Sequence, residues 1–429
     1  MMTGVPTAEE RSVREPARWS RARRRPSPEL AWALVVTVVV RLAEIIALKI
    51  GAEAQSATGP ATPDGVPGHY FVYSPSPASP GLGAVLGNWD GEWYERIAML
   101  GYPRGDEIAS ANDAYVSGFP PGFPLLARVT TEISGLSFVW SSVLLNTVLS
   151  LATVVLLHGL LRSRGLPARV AAVGAAAVSL LPSSPVLVAA YSEPLALLFL
   201  VVALRLILEH RYLVAAVAIL GLALTRPVAV AFVPVLLIHA VLRFRVDRRL
   251  MPARSWATLS VATLVAAASP WVWPRVAVWI YGRSESVANS GASRTDQIAS
   301  GLGSGYLRTT LDVGGPPALV LLALAFLALV GVPAVVGLRT GWPVELLAWG
   351  AAYLAMVIIA TPITPGFLRY LVLAAPLFGP LFAAPFARMS RPHLAFVATL
   401  TAACLWAQWF WIRYLFILDP APALLPWSP

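Results

Sequence analysis

Hydrophobic residues occur along this chain in long runs that few polar side chains interrupt. The first run, residues 31–50, has about the length that a helix needs to cross the hydrocarbon core of a bilayer. Ten further apolar runs follow, at residues 138–161, 170–188, 195–208, 212–224, 228–242, 256–273, 317–338, 344–360, 371–386 and 394–412. The pattern predicts an all-α polytopic membrane protein with a bundle of about 11 transmembrane helices.

Three details of the runs qualify this prediction. Runs 195–208 and 212–224 are short for a full span, so these helices are tilted, partly re-entrant or packed inside the bundle. Run 31–50 precedes a sequence resembling a signal-peptide cleavage site, but it exceeds the usual apolar length, which favours an uncleaved anchor. Within it, Arg41 and Glu44 stand three residues apart and are expected to pair in the membrane.

Charge decides the orientation. The 429 residues are 57% hydrophobic and 13% charged, with a formal net charge of +10. If the N-terminus is cytoplasmic, 20 basic and 7 acidic residues lie on the cytoplasmic side, against 10 basic and 14 acidic on the outer side. This is the positive-inside bias of a membrane protein. The basic excess is therefore an orientation signal, and no nucleic-acid partner is expected.

The chain divides into a basic cytoplasmic tail, residues 1–30, a transmembrane domain, residues 31–412, and an outer tail, residues 413–429. Two long outer loops, residues 51–137 and 274–316, interrupt the transmembrane domain. The single cysteine excludes a disulfide within the chain. The five histidines lack metal-ligand spacing, so no metal site is expected.

The densest polar and aromatic cluster, residues 88–97, lies in the first outer loop. Read as a helix, it places Trp89, Trp93 and Ile97 on one face and Asp90 and Tyr94 on another. Such a segment is typical of a helix lying in the membrane interface. Either Asp90 only caps this helix, or it is a base at the membrane surface.

A carboxylate beside lipid and aromatic rings is desolvated, and this makes it a stronger base for a hydroxyl proton. Glu92 and Glu95 are the alternative bases. Asp90 is preferred because its position ahead of the helix lets its oxygens point into a cavity.

Three more ionisable residues interrupt apolar sequence on the predicted outer side: Glu193, Arg226 and Arg369, the last followed by Tyr370. Glu193 is either a functional group at membrane depth or a hydrated residue in an outer turn. The two arginines oppose the positive-inside bias, and guanidinium suits a phosphate better than lipid sorting does. Between these sites, the proline-rich segment 119–124 is predicted to be a rigid structural element.

The cluster Trp89-Asp90-Gly91-Glu92-Trp93-Tyr94, with Ile97-Ala98 and Gly101-Tyr102 behind it, resembles the first outer loop of the GPI mannosyltransferase 2 family and its bacterial relatives, which are GT-C glycosyltransferases. The order of the later features along the chain also resembles that family; these are residues 119–124, 191–193, 225–226 and 369–370. Pro120 and Pro227 depart from its pattern.

The resemblance implies a GT-C-like bundle that transfers mannose from a polyprenyl-phosphate carrier to a lipid or glycan hydroxyl, with inversion and without a metal or other cofactor. Asp90 would be the base, and Arg226 or Arg369 would hold the lipid phosphate. Glu193 would orient the sugar or Arg226, and the cluster's aromatic side chains would stack on sugar or isoprenoid, or hold the loop at the interface. A different polyprenyl-phosphate sugar, a flippase or transporter of a lipid-linked sugar, and a scaffolding membrane protein are the alternatives.

Overall fold

The computed structural model describes residues 27–57, 77–104, 116–246, 252–281, 304–360, 366–388 and 391–418. These residues form helices and connecting turns, without a β-strand among them. The α-helices, in chain order, are α1 (Pro28–Glu53), α2 (Leu82–Leu86), α3 (Asp90–Leu100), α4 (Gly122–Ser134), α5 (Phe138–Ser163), α6 (Ala168–Ala176), α7 (Glu193–Leu208), α8 (Tyr212–Ala223), α9 (Phe232–Val246), α10 (Ala253–Tyr281), α11 (Ser304–Arg339), α12 (Val344–Ala360), α13 (Gly366–Tyr370), α14 (Ala375–Ala383), α15 (Pro385–Arg388) and α16 (Arg391–Trp411).

The prediction of an all-α membrane protein is confirmed. Within the described ranges, six helical stretches are long and apolar enough to cross a bilayer: Pro28–Glu53, Phe138–Ser163, Ala253–Tyr281, Gly314–Arg339, Leu368–Ala387 and Arg391–Phe416. The other predicted runs also form helices, but these are shorter or broken. They contribute to the core, although α8 and α9 also expose large apolar side chains such as Val217 and Leu237.

The third predicted run, residues 170–188, is not one continuous helix. After α6 it continues as two 3₁₀ turns, Ala177–Leu180 and Ser184–Leu187. Pro182 and Pro185 lie in this region, and proline cannot donate the backbone hydrogen bond that a continuous helix requires. Nearly all of the segment is buried, with α6 packed against α1, α5 and α14. It is a core element that contacts little lipid.

The expected pair in the first span is confirmed. The guanidinium nitrogen Nη1 of Arg41 lies 2.6 Å from Oε2 of Glu44, and both side chains are buried. Arg41 also donates to the backbone carbonyl of Ser184, and the Ser184 hydroxyl donates to Glu44. Gln408 of α16 donates to the Ser184 hydroxyl at 2.9 Å. The charged pair therefore joins α1 to the broken segment and to α16 inside the bundle.

The first long loop, residues 51–137, contains three described helices, α2, α3 and α4. The predicted face of α3 is present in part: Trp93 and Ile97 are buried with Tyr102 and with Trp273 of α10. Trp89, its third predicted member, precedes the helix and packs in the main core instead. The Trp273 ring nitrogen donates to the backbone carbonyl of Ser117 at 2.9 Å, which attaches the loop to α10. The N-terminal tail, most of the C-terminal tail and the middle of the second long loop lie outside the described residues.

Candidate active site

Four charged side chains from distant parts of the sequence meet in one cluster. Nη1 of Arg369 lies 3.0 Å from Oδ2 of Asp90, and Nε of Arg369 lies 3.3 Å from Oε1 of Glu193. Nη1 of Arg226 lies 2.7 Å from the same Glu193 oxygen. We call these four residues the charged cluster. Glu193 is thus a shared counterion between two arginines, and Asp90 stands at one end of the chain of pairs.

Each member of the charged cluster stands at or beside the end of a helix. Asp90 is the first residue of α3, and Glu193 is the first residue of α7. Arg226 lies in the turn after α8, and Arg369 lies in the short helix α13. Two of the positions are helix N-termini, where a carboxylate is stabilised by the helix dipole. The helix ends bring the four residues together although 279 positions separate Asp90 from Arg369.

Burial distinguishes the interpretations that the sequence left open. Glu193 is 1% exposed, which excludes the hydrated outer turn. Asp90 does not occupy the N-cap of α3, because Trp89 does, and its carboxylate faces Arg369 instead. The Asp90 side chain is 13% exposed, so among the two carboxylates it is the one that solvent or a ligand reaches more readily.

The turn before Asp90 is strained and held from several sides. Trp89 has φ 62° and ψ −118°, an unusual conformation for a residue other than glycine, which costs on the order of 1–3 kcal/mol. Its ring nitrogen donates to the carbonyl of Phe416 at 2.8 Å. The Asn88 amide donates to Gln55 at 2.8 Å, and Tyr191 donates to the Asn88 carbonyl at 3.2 Å. These contacts fix the direction in which Asp90 leaves the backbone.

The backbone ahead of Glu193 is irregular, and the side-chain amide of Asn146 is one of the groups that hold it. The side-chain nitrogen of Asn146, in α5, donates to the carbonyls of Ala189 and Tyr191 at 2.6 and 3.0 Å. Asn146 is fully buried, so it replaces water as the donor to carbonyls that no helix satisfies. This contact sets where α7, and with it Glu193, begins.

The proline-rich segment docks beside Arg226, as a structural element. The Gly122 backbone N–H donates to the Leu224 carbonyl at 2.8 Å. A Cβ atom at Gly122 would lie 2.7 Å from that carbonyl oxygen and 2.9 Å from the Thr225 hydroxyl oxygen. The approach therefore requires glycine, and it places the start of α4 against the turn that carries Arg226.

Two tyrosines accompany the arginines. The guanidinium carbon of Arg369 lies 5.4 Å from the ring centre of Tyr370 and 5.2 Å from that of Tyr191. The guanidinium carbon of Arg226 lies 5.8 Å from the Tyr370 ring. Rings at such distances stabilise a cation electrostatically. Tyr370 was predicted from the sequence as part of the site. Tyr191 was noted only as a member of the segment 191–193 and was given no role of its own.

The aromatic residues predicted to stack on a substrate lie in the protein interior. Trp89, Trp93 and Tyr94 are each at most 3% exposed. Trp93 packs with the Phe119 ring, and Tyr94 meets Phe119 edge-on at 5.3 Å. Their rings hold the first long loop against the bundle. Stacking on a substrate and holding the loop at the membrane interface, the two roles that the sequence left open, stay predictions.

The Tyr94 hydroxyl reaches the charged cluster through a serine. It lies 2.8 Å from the Ser192 hydroxyl, which accepts a hydrogen bond from Nη1 of Arg226 at 3.1 Å. Burial, and after it the negative charge of Asp90, raises the pKa of Tyr94 well above its usual range, so this hydroxyl stays protonated. Glu92 is half-buried on α3, outside the ion pairs of the charged cluster that are described above. Burial raises the pKa of Glu95.

Several polar atoms of the cluster form no hydrogen bond within the described part of the chain. They are both carboxylate oxygens of Glu193, Nε of Arg226, Nε and Nη1 of Arg369, and the hydroxyl of Tyr353 in α12. Both of these Arg369 nitrogens lie within 3.3 Å of carboxylate oxygens, but their N–H bonds are not directed at those oxygens. Buried polar atoms without a hydrogen bond need an explanation. For the arginine nitrogens, an anion bound at this site would accept their N–H groups. The arrangement is suited to a phosphate, which guanidinium groups bind through two N–H groups at once.

A second buried polar cluster lies where α8, α9 and α12 meet. The Tyr212 hydroxyl lies 3.0 Å from Nε2 of His239, whose Nδ1 lies 2.7 Å from Oε1 of Glu345. All three hydrogen-bonding side chains are buried and have their partners within the cluster. Over the described ranges, no group of three or more His, Cys, Asp and Glu side chains is arranged to hold a metal ion.

No protein-family model and no curated protein sequence matches the chain. Among solved structures, it is similar to the oligosaccharyltransferase of Archaeoglobus fulgidus in complex with zinc and sulfate, at 14% identity and a TM-score of 0.47, over 94% of this chain and 53% of that one. It is also similar to the oligosaccharyltransferase AglB of the same archaeon in complex with an inhibitory peptide and a dolichol-phosphate, at 13% identity and a TM-score of 0.45, over 89% of this chain and 55% of that one. The chain spans about half the length of these proteins.

Proposed function

We propose that this protein is a membrane glycosyltransferase of the GT-C type, and specifically an inverting mannosyltransferase. It moves mannose from polyprenyl-phosphate mannose to a hydroxyl of a lipid or glycan acceptor, without a metal or other cofactor. One observation carries the proposal: a carboxylate and two arginines, on helix ends far apart in sequence, form one buried cluster around Glu193.

The reaction assigns a role to each charge. Asp90 takes the proton of the acceptor hydroxyl, and the acceptor oxygen forms a bond to the anomeric carbon of the sugar. The bond from that carbon to the phosphate oxygen breaks, and its electron pair leaves with the polyprenyl phosphate. Arg226 and Arg369 stabilise the charge that grows on this phosphate. Attack on the face opposite the leaving group inverts the anomeric carbon.

The pair between Asp90 and Arg369 opens during this reaction. In the structure the guanidinium of Arg369 lies 3.0 Å from Oδ2 of Asp90, in the place that an acceptor hydroxyl would take at this oxygen. When the donor phosphate accepts the N–H groups of Arg369, Asp90 is released to accept a proton. Glu193 keeps both arginines in place throughout, because it is the deeper of the two carboxylates.

The outer face of the membrane is the proposed location of the reaction. Support comes from the positive-inside bias of the loops, which puts the helix ends that carry the charged cluster outside. The partners are then a lipid-linked sugar, a lipid or glycan acceptor, and the surrounding membrane lipids. The N-terminus is cytoplasmic in the cell membrane.

The test is transfer by the purified protein in detergent, with radiolabelled polyprenyl-phosphate mannose and extracted membrane lipids as acceptors. Asp90→Asn keeps the size of the side chain and removes the base, so transfer falls by about 10²–10⁴-fold. Glu132→Gln is the matched control, because Glu132 is exposed and forms an ion pair with Arg128 on α4, outside the charged cluster. Full transfer by Asp90→Asn would show that the base lies elsewhere, and Glu92→Gln and Glu95→Gln then test the alternative bases.

Two further arms separate the alternatives. Polyprenyl-phosphate glucose in place of the mannose donor decides which sugar is used. In proteoliposomes, a flippase moves the labelled donor between leaflets without consuming it, whereas the proposed enzyme consumes the donor and labels an acceptor.

A further inference from the structure

We infer that Tyr94 and Ser192 are positioning residues that orient the guanidinium of Arg226 for the leaving phosphate. The inference rests on the proposed function and concerns a relay of two hydroxyl groups, from Tyr94 through Ser192 to Arg226. Neither hydroxyl touches the substrate in this account; both act through the arginine.

The relay is a continuous set of hydrogen bonds inside the protein. The Ser192 hydroxyl oxygen lies 3.1 Å from Nη1 of Arg226 and 2.8 Å from the Tyr94 hydroxyl. Arginine can only donate, so one lone pair of the serine oxygen is committed to Arg226. The other bond of that oxygen goes to Tyr94, whichever of the two hydroxyls donates. Ser192 is fully buried, so water does not compete for either bond.

Packing fixes the far end of the relay. The Tyr94 ring meets Phe119 and Phe123 edge-on, with ring centres 5.3 and 5.1 Å away. A ring held on two sides keeps its hydroxyl in one place, and a serine bonded to that hydroxyl has one preferred rotamer. Hydrogen-bonded supporting groups of this kind fix a functional side chain within a few tenths of an ångström.

Arg226 needs such a second contact. Its Nη1 also contacts Glu193 at 2.7 Å, but one contact to one oxygen leaves the guanidinium plane free to turn about that contact. Its Nε has no hydrogen bond within the described residues. Ser192 accepts a directional hydrogen bond from the same Nη1 atom, and this bond fixes where one N–H group of Arg226 points.

The relay also couples Arg226 to the base. Asp90 and Tyr94 are four residues apart on α3 and share the face that points at the charged cluster. Asp90 contacts Arg369 directly, and Tyr94 reaches Arg226 through Ser192. One helix therefore sets the distance from the proposed base to both phosphate ligands, and errors of about 1 Å in such distances cost on the order of 10²-fold in rate.

The experiment is a set of double-mutant cycles in the transfer assay. Tyr94→Phe and Ser192→Ala each remove one hydroxyl and keep the packing, and each lowers kcat by about three- to tenfold, the effect of one hydrogen bond. In the Arg226→Gln background, neither substitution lowers kcat further, because the group they orient is gone. Tyr212→Phe is the matched control: it also removes a buried, hydrogen-bonded tyrosine hydroxyl, and it leaves kcat unchanged.

The outcomes are distinct. Equal losses with and without Arg226 would overturn the relay while leaving the proposed function intact. Thermal unfolding of each variant separates loss of orientation from loss of folding. If the wild type transfers no sugar, the proposed function fails. The same double-mutant cycles are then measured by the affinity for polyprenyl phosphate. If the Tyr94 and Ser192 substitutions show no coupling to Arg226 in that affinity, the relay is overturned as well.

Discussion

Replacing Glu193 by glutamine tests whether the charged cluster is held together by one shared counterion. The substitution keeps the shape of the side chain and removes its charge. Two buried guanidinium groups then face each other with Asp90 as the remaining counterion in the cluster. At an effective dielectric constant of about 20, contacts of 2.7 and 3.3 Å correspond to about 6 and about 5 kcal/mol of gross attraction.

The net cost is smaller, because burying Glu193 opposes this attraction. Removing one partner of a buried ion pair usually costs about 3–5 kcal/mol, since the other charge stays buried without compensation. We expect Glu193→Gln to destabilise the protein by about that amount. A double variant, Glu193→Gln with Arg226→Gln, removes the surplus charge as well, and it is expected to be more stable than Glu193→Gln alone.

Unfolding of the purified protein in a denaturing-detergent titration measures both values. Glu132→Gln is the control, because its pair with Arg128 is exposed and such pairs contribute only about 0–1 kcal/mol. The reasoning is refuted if Glu193→Gln unfolds within about 0.5 kcal/mol of the wild type. It is also refuted if the double variant is less stable than Glu193→Gln, since the cost then does not come from an uncompensated charge.

Three further substitutions probe other contacts. Gly122→Ala forces a methyl group against the Leu224 carbonyl, and the rate of sugar transfer falls at least about tenfold. Gly331→Ala is the control: it adds a methyl group in open space and leaves the rate of transfer unchanged. Arg41→Leu leaves Glu44 buried without its counterion and lowers the free energy of unfolding by about 3–5 kcal/mol in the detergent titration. The double variant Arg41→Leu with Glu44→Leu loses less stability. An equal or larger loss in the double variant would contradict a charge effect. Trp273→Phe removes one hydrogen bond, which contributes about 1 kcal/mol, so limited proteolysis of the first long loop becomes faster. An unchanged rate of digestion would show that this hydrogen bond does not hold the loop.

The charged residues of the cluster were accessible to sequence reasoning because each is anomalous where it stands. Glu193 and Arg226 interrupt apolar sequence, and ionisable groups at membrane depth are rare unless they have a function. Asp90 and Tyr94 share a helix face by their spacing alone. The sequence therefore indicated which residues to compare, but their pairing depends on helix packing that no local pattern contains.

The supporting residues could not be found in the same way. Asn146 and Tyr353 are ordinary residues in apolar surroundings, and they become relevant only through their place in the fold. Ser192 lies in the segment 191–193 that the sequence singled out, but its bond to Arg226 depends on the fold. The broken segment after α6 was also hidden, because an apolar run reads the same whether its backbone is one helix or several turns. Only its two prolines gave a local signal.

The broken segment has a consequence for how the protein is made. The carbonyls of Ser179 and Leu181 accept local hydrogen bonds from Ser184. Each also accepts one from the Gln408 amide of α16, which lies 229 residues beyond Ser179 in the sequence. At about 5–20 residues per second, the ribosome adds that stretch in roughly 10–50 s. During this interval the two carbonyls have only their local donors from Ser184, and lipid offers no others. The second hydrogen bond of each carbonyl, and with it the link between the broken segment and α16, forms only when α16 is inserted.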